Sequence, residues 1–142
     1  MKPDLIITGA AGRMGQRILT LALEQKAFHL VGAVDYADHP ELGKDIGVLA
    51  GLGPVNVELS SKFPDSADVM IDFSLPAATD DSIEYCRKNN VALVLGTTGL
   101  SAAQMERVRQ AAGKIAILRA TNMSVGMNLL FATVGKVAKS LG

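Results

Sequence analysis

Three glycines in the stretch Gly9-Ala10-Ala11-Gly12-Arg13-Met14-Gly15 stand between an apolar run and a helical stretch, and twenty positions beyond Gly15 an aspartate, Asp35, ends a second apolar run. A glycine turn that opens a helix gathers bare backbone N–H groups at the positive end of the helix dipole, and the missing Cβ atoms let an anion reach them. The dipole alone contributes only about 0.3–1 kcal/mol for an anion, so direct N–H contacts must carry most of the grip. A pyrophosphate suits such a turn. A carboxylate at the end of the next strand is placed to accept hydrogen bonds from the hydroxyls of an adenosine ribose. The pair therefore reads as a dinucleotide site.

Asp35 also bears on which dinucleotide, because a carboxylate that holds the ribose 2′-hydroxyl repels a 2′-phosphate. NAD is favoured over NADP. The Arg13 guanidinium could offset that repulsion if it reached the phosphate, and use of both cofactors stays open. The glycine spacing departs from G-x-G-x-x-G by one extra residue in the first gap, so context must support it. A Walker-type phosphate loop is excluded, since Gly43-Lys44, Gly113-Lys114 and Gly135-Lys136 are followed by Asp45, Ile115 and Val137 rather than Ser or Thr.

The elements that must position these residues are legible as short apolar runs: Leu5–Thr8, Leu30–Val34, Val69–Phe73, Val91–Leu95 and Ile115–Leu118. Each is too short for a helix and rich in residues that favour strands buried on both faces, as in a parallel sheet. Val55–Leu59 alternates instead and is expected as an edge strand. Met14, Ile18, Leu21 and Ala22 form one helical stripe, and Ser101 to Gln104 has the form of a capping box, with Gly113 expected at the C′ position of that helix. Met127, Leu130, Phe131, Val134, Val137 and Leu141 mark a final amphipathic helix. Alternating strands and helices imply an α/β, Rossmann-like, doubly wound parallel sheet in a single domain, with ligands at the carboxyl ends of the strands.

Composition bounds the partners. The 142 residues are 49% hydrophobic and 20% charged, with 14 basic and 14 acidic side chains, which leaves no electrostatic footprint for nucleic acid or an anionic membrane. The single cysteine, Cys86, rules out an internal disulfide and a cysteine-based metal site, and is expected as a small buried hydrophobe. No metal site is expected. The opening Met-Lys-Pro-Asp leads into an apolar segment far shorter than a signal core or a membrane span, so the expected location is cytoplasmic.

Three further segments make the pattern specific: Asp72-Phe73-Ser74-Leu75-Pro76-Ala77-Ala78-Thr79, Gly96-Thr97-Thr98-Gly99, and Ala120-Thr121-Asn122-Met123-Ser124-Val125-Gly126-Met127-Asn128. With Gly12-Arg13-Met14-Gly15 they resemble the N-terminal domain of the 4-hydroxy-tetrahydrodipicolinate reductases, the dihydrodipicolinate reductase family of lysine and diaminopimelate biosynthesis. The resemblance runs from Leu5 to about Leu130. It implies that Gly9, Ala10, Ala11, Gly12, Arg13 and Met14 wrap the pyrophosphate, that Asp35 binds the adenosine ribose, that Gly96, Thr97 and Thr98 border the nicotinamide, and that Ala120, Thr121, Asn122 and Met123 close over the same end. Tyr36 stands where some members of the family place a basic residue that meets a 2′-phosphate, which again favours NAD.

In that family hydride passes from the nicotinamide to a cyclic imine acid, with a His-His pair and a Lys-x-Asp-x-Pro-Ser-Gly-Thr stretch supplying the acid and the carboxylate contacts. Neither motif occurs here; His29 and His39 are unpaired in sequence and expected on the surface. Residues 1–142 are thus expected to form a dinucleotide-binding domain without catalytic residues of its own, the dicarboxylic substrate and the homotetramer of the full-length family member requiring a domain that this chain does not contain. A well-placed general acid typically contributes 10²–10⁴-fold, so cofactor binding without efficient turnover is expected. A dinucleotide-sensing or interaction module without chemistry is the alternative. A short-chain dehydrogenase is not, because its Tyr-x-x-x-Lys is missing: Tyr36 is followed four places on by Pro40 and Tyr85 by Asn89.

Overall fold

The computed structural model describes residues 2–142, and in it the apolar runs become strands of one six-stranded parallel sheet. The strands are β1 (Asp4–Thr8), β2 (His29–Val34), β3 (Leu59–Ser60), β4 (Val69–Asp72), β5 (Ala92–Leu95) and β6 (Ile117–Arg119), in the order β3-β2-β1-β4-β5-β6. Between and after them run α1 (Arg13–Gln25), α2 (Ile46–Leu49), α3 (Pro76–Asn89), α4 (Ala102–Ala112) and α5 (Val125–Leu141). This is the Rossmann-like α/β fold, and its strand order reverses between β1 and β4, where a crevice opens at the strands' carboxyl ends.

β1 lies at the centre because every residue from Leu5 to Thr8 can be buried. Its side chains alternate between two cores. Leu5 and Ile7 pack with Leu19 and Ala22 of α1 and Ile46 of α2, whereas Ile6 packs with Met70, Leu93 and Leu95 and with Ile83, Cys86, Val108 and Ala111 of α3 and α4. α1 and α2 thus cover one face of the sheet, α3 and α4 the other. The Cys86 thiol lies 3.7 Å from the Met70 sulfur, and burial, helped by the charge of Asp72, pushes its pKa up to about 12, so it behaves as a small hydrophobe.

Four local expectations need correction. The buried stripe of α1 is Gly15, Leu19 and Ala22, one step round from Met14, which is 50% exposed. Gly9 and Gly15 explain the rotation. Gly9 takes φ +72°, and a Cβ on Gly15 would lie 2.2 Å from the Gly9 carbonyl oxygen and 2.6 Å from the Ala10 Cα. The first turn of α1 therefore presses Gly15 itself, not Met14, against the end of β1.

The edge strand is shorter than Val55–Leu59. Asn56 turns to φ 60°, and the Asp45 carboxylate accepts hydrogen bonds from the amides of Gly47, Val48, Val55 and Asn56 at 2.7–3.1 Å. Burial opposes the charge on Asp45, but these four N–H groups hold its carboxyl below the usual carboxylate range. They fold residues 45–56 into a capped loop instead of a strand. Gly113 has φ −75° in the right-handed region, so α4 ends without the left-handed residue expected, and Ile115 is buried in the turn that follows, leaving β6 to begin at Ile117. The capping box at Ser101 and Gln104 is present.

α5 forms as its periodicity predicts, yet it packs on nothing: it has no buried residue, and Val125, Leu129, Leu130, Phe131, Val134, Val137 and Leu141 are 50% to 84% exposed. Among the described residues no helix is long and apolar enough to cross a membrane.

The contrast between α1 and α5 is measurable. Leu19→Ala should cost about 2–5 kcal/mol in urea denaturation, as expected for a fully buried leucine, while Leu130→Ala should change stability by less than about 0.5 kcal/mol. Gly15→Ala should destabilise by about 1–3 kcal/mol or more, because the methyl group meets backbone that cannot move aside as a side chain could. A melting temperature unchanged by Gly15→Ala would contradict the close approach of α1 to β1.

Candidate functional site

The residues singled out from the sequence converge on one edge of the sheet. Gly9–Met14 follow β1, Asp35 follows β2, Gly96–Thr98 follow β5 and Ala120–Met123 follow β6, so all four groups lie at strand carboxyl ends around the switch point. Three hollows run along this edge. One of about 250 Å³ lies between Asp35, Tyr36, Phe63 and Ala78; a central one of about 240 Å³ is lined by Gly9, Gly12, Asp35, His39, Phe73 and Ser74; a third of about 440 Å³ lies between Met14, Phe73, Gly96, Thr98 and residues 120–124. Shared walls make them one cleft, with Asp35, Tyr36 and Ser74 common to the first two and Phe73 common to the last two. A larger hollow of about 540 Å³ between α3 and α4 is lined by surface charges, among them the Asp80–Arg107 and Glu84–Arg87 ion pairs, and lies away from the strand ends.

The amides of the glycine turn divide into two sets, which corrects the expectation that all of them are open to an anion. Gly9 and Ala10 are buried and both donate to the Val34 carbonyl, at 2.9 and 3.2 Å; Gly12 donates back to the Gly9 carbonyl at 3.1 Å. The Ala11 amide donates to Asp35 Oδ2 at 3.0 Å. These bonds build the turn. The amides of Arg13, Met14 and Gly15, the first three of α1, make no hydrogen bond among the described residues, and no side chain caps the helix. They are the open donors, set at the positive end of a 13-residue helix.

Asp35 is held from two sides. Its Oδ1 accepts from the Tyr36 amide at 3.0 Å while Oδ2 takes the Ala11 amide, so the carboxylate faces the cleft in a fixed pose and keeps lone pairs for further donors. Arg13 is exposed at the first turn of α1.

On the far side of the cleft the Phe73 ring lies so close to Gly96 that a Cβ there would fall 2.4 Å from it. Thr98 is exposed toward the cleft, whereas Thr97 is 3% exposed and its hydroxyl donates to Asp72 Oδ1 at 3.1 Å and lies 3.2 Å from the Ser74 carbonyl. Thr97 therefore offers the cleft its backbone position, not its hydroxyl. Asn122 Oδ1 accepts from the Ser124 amide, and Asn128 Nδ2 donates to the Asn122 carbonyl, shaping residues 120–124 into a turn before α5.

Residues that the sequence marked as a motif without assigning them to the site also belong to the cleft. Phe73, Ser74 and Leu75 line its centre, and Asp72 beneath them is fully buried, its Oδ1 accepting from the Ser74 amide at 2.8 Å, the Ser74 hydroxyl at 2.6 Å and Thr97. The signal for them was the Asp72-Phe73-Ser74 run ending β4. His39, expected as a surface residue near the adenosine side, is half-buried and lines the central hollow beside Tyr36. His29 stands at the opposite end of the sheet, bonded to Asp4 at 2.8 Å.

Comparison with known proteins agrees with this architecture. Residues 4–123 match the family model described as dihydrodipicolinate reductase, N-terminus. The chain is 42% identical to the 4-hydroxy-tetrahydrodipicolinate reductase of Rhodopirellula baltica, covering 97% of this chain and 51% of that protein, and 39% identical to that of Syntrophotalea carbinolica, covering 96% and 52%. It thus spans about half the length of the curated relatives it matches. Among solved structures, a dipicolinate-bound dihydrodipicolinate reductase from Paenisporosarcina sp. TG-14 superposes with a TM-score of 0.68 at 23% identity over 89% of this chain and 49% of that one, a likeness of fold. An aspartate semialdehyde dehydrogenase from Vibrio cholerae shares the fold at a TM-score of 0.57 and 14% identity. With its motifs, its strand order and these matches in agreement, the chain belongs to the dihydrodipicolinate reductase family, in the part that forms that family's N-terminus.

Proposed function

We propose that the cleft holds NAD or NADP, with NAD preferred, and that the chain is the cofactor-binding half of a 4-hydroxy-tetrahydrodipicolinate reductase acting in lysine and diaminopimelate biosynthesis. One observation carries the reading: the unpartnered amides of Arg13, Met14 and Gly15 follow directly on Gly12, which lines the same hollow as the Asp35 carboxylate. The residues fit a dinucleotide. Open helix amides bind a diphosphate, a fixed carboxylate binds a ribose diol, and the Gly12 and Gly96 positions keep Cβ atoms out of its path.

In this assignment Gly9, Ala10, Ala11 and Gly12 shape the phosphate turn, Arg13 and Met14 with Gly15 donate to it, and Asp35 holds the adenosine ribose. Gly96, Thr97, Thr98 and Ala120, Thr121, Asn122, Met123 form the nicotinamide end around the hollow of about 440 Å³. When bound there, the reduced cofactor would supply a hydride for an imine acid. The chain's own contribution is to orient the nicotinamide and shield it with the half-buried Phe73 and Met123.

A second domain completing the substrate site, as the doubled length of the relatives suggests, would also cover the apolar side of α5, and the substrate carboxylates and the tetramer belong to that larger assembly. The two histidines support binding without efficient turnover by this chain: His29 lies at the amino-terminal end of β2 and His39 on the adenosine side, so neither stands at the nicotinamide end.

Calorimetric titration tests the assignment. Asp35→Ala should weaken NADH by about 10-fold or more, the worth of a hydrogen bond to a charged group, and weaken NADPH less. Equal losses for the two cofactors would overturn the role given to Asp35. With freshly prepared imine substrate, NADH oxidation by the chain should run at least about 100-fold below that of a complete reductase; a comparable rate would show that chemistry does not need the second domain.

A further inference from the structure

The central hollow contains a group whose part in the site has not yet been assigned. His39 lines it together with Gly9, Gly12, Asp35 and Ser74, although it belongs to the loop after β2 and carries none of the sequence marks of a cofactor residue. Its backbone is fixed by bonds from its own amide to the Tyr36 carbonyl at 3.1 Å and from the Leu42 amide to its carbonyl at 3.2 Å. Its ring meets the Tyr36 ring edge-on, with centroids 5.0 Å apart and planes at 63°. The imidazole is thus held at the mouth of the cleft next to Asp35.

Its tautomer is fixed as well. The Glu41 amide donates to His39 Nδ1 at 3.2 Å, so Nδ1 is the acceptor and the ring proton sits on Nε2. Nε2 has no partner among the described residues. Of the charged groups nearby, Asp35 and Asp38 belong to the same loop, the Lys44 ammonium is paired with Glu41, the glycine turn carries the exposed Arg13, and residues 73–75 across the hollow contain no titratable side chain.

We propose that His39 is a specificity-determining residue that reads the adenosine 2′-position, its Nε2–H donating to the 2′-hydroxyl oxygen while that hydroxyl donates to Asp35. This rests on the dinucleotide reading above and deepens it. A hydroxyl can satisfy an acceptor and a donor at once, whereas a 2′-phosphate, though it can accept from Nε2–H, cannot donate to Asp35 and is repelled by its charge. The imidazole donor and the carboxylate together hold the diol of NAD, with Tyr36 packed against the ring.

Two variants separate recognition from structure. His39→Phe keeps a ring against Tyr36 and removes the donor; His39→Gln places an amide N–H near the position of Nε2. Titration with NADH should show about a 5-fold loss of affinity in His39→Phe, the worth of one neutral hydrogen bond, and recovery to within about 2-fold of wild type in His39→Gln. 2′-Deoxy-NADH should bind wild type and His39→Phe alike, since it lacks the hydroxyl that accepts the bond, and a structural defect would weaken it equally with NADH. NADH binding undiminished in His39→Phe, or an equal loss of 2′-deoxy-NADH binding, overturns the assignment of His39 alone. Failure of the wild-type chain to bind NADH overturns the dinucleotide reading and the assignment with it.

Discussion

The site depends on how closely the first turn of α1 approaches the end of β1. With Gly15 seated against the carbonyl of Gly9, at a separation that leaves no room for a methyl group, the helix axis is aimed so that its first three amides emerge at the switch point of the sheet. A side chain at position 15 would lift the helix and turn those donors away. The approach also consumes donors, for the chain must reverse direction within Gly9–Gly12, and the reversal is held by amides bonded to Val34, Asp35 and Gly9 itself. Only after those are satisfied does the helix begin, uncapped. An uncapped N-terminus leaves unmet hydrogen-bonding capacity, and here that capacity is what an anion would fill.

A second tie crosses the floor of the cleft. Asp72, fully buried at the end of β4, gathers Ser74 and Thr97 on one carboxylate oxygen, joining the loop after β4 to the loop after β5. Its other oxygen is buried without a partner, as is the hydroxyl of Thr8, the residue paired with Asp72 across β1 and β4. Buried polar atoms of this kind are costly unless satisfied, so the floor of the cleft is held by polar bonds whose loss would loosen two walls at once. Glycine at 96 is required for the same reason that it is at 15: a neighbouring group, here the Phe73 ring, already occupies the Cβ position.

Much of this was legible from residue order alone. β1, β2, β4 and β5 are short, apolar and β-branched, and both local preference and burial push them to one outcome, so the sheet and the placement of Gly9–Gly15, Asp35, Gly96–Thr98 and Ala120–Met123 at its carboxyl edge could be read directly. What escaped was decided by tertiary contacts. The stripe of α1 shifted by one residue because backbone packing at Gly15 outweighed the apolar spacing of Met14, Ile18 and Leu21. Residues 55–57 alternate like a strand, yet a single carboxylate, Asp45, takes the amides of Val55 and Asn56 away from sheet pairing. His39 has no periodicity or motif to mark it; only the fold of the loop after β2 brings it beside Asp35.

The separation of α5 from the sheet bears on how binding and chemistry are divided. A helix of 17 residues with exposed valines and leucines gains little from its own propensity, and in folded proteins such faces are covered. It leaves the cleft directly from residues 120–124, the same turn that borders the hollow beside Met14 and Thr98. Whatever packs against α5 is therefore close to the hollow beside Met14 and Thr98, whose lining does not include Asp35 or His39. The end of the cleft at Asp35 is fixed by contacts among β1, β2 and their loops. The opposite end is bounded on one side by a turn that leads straight into α5, so under the proposed assignment cofactor recognition is settled locally while the geometry for transfer is set through α5.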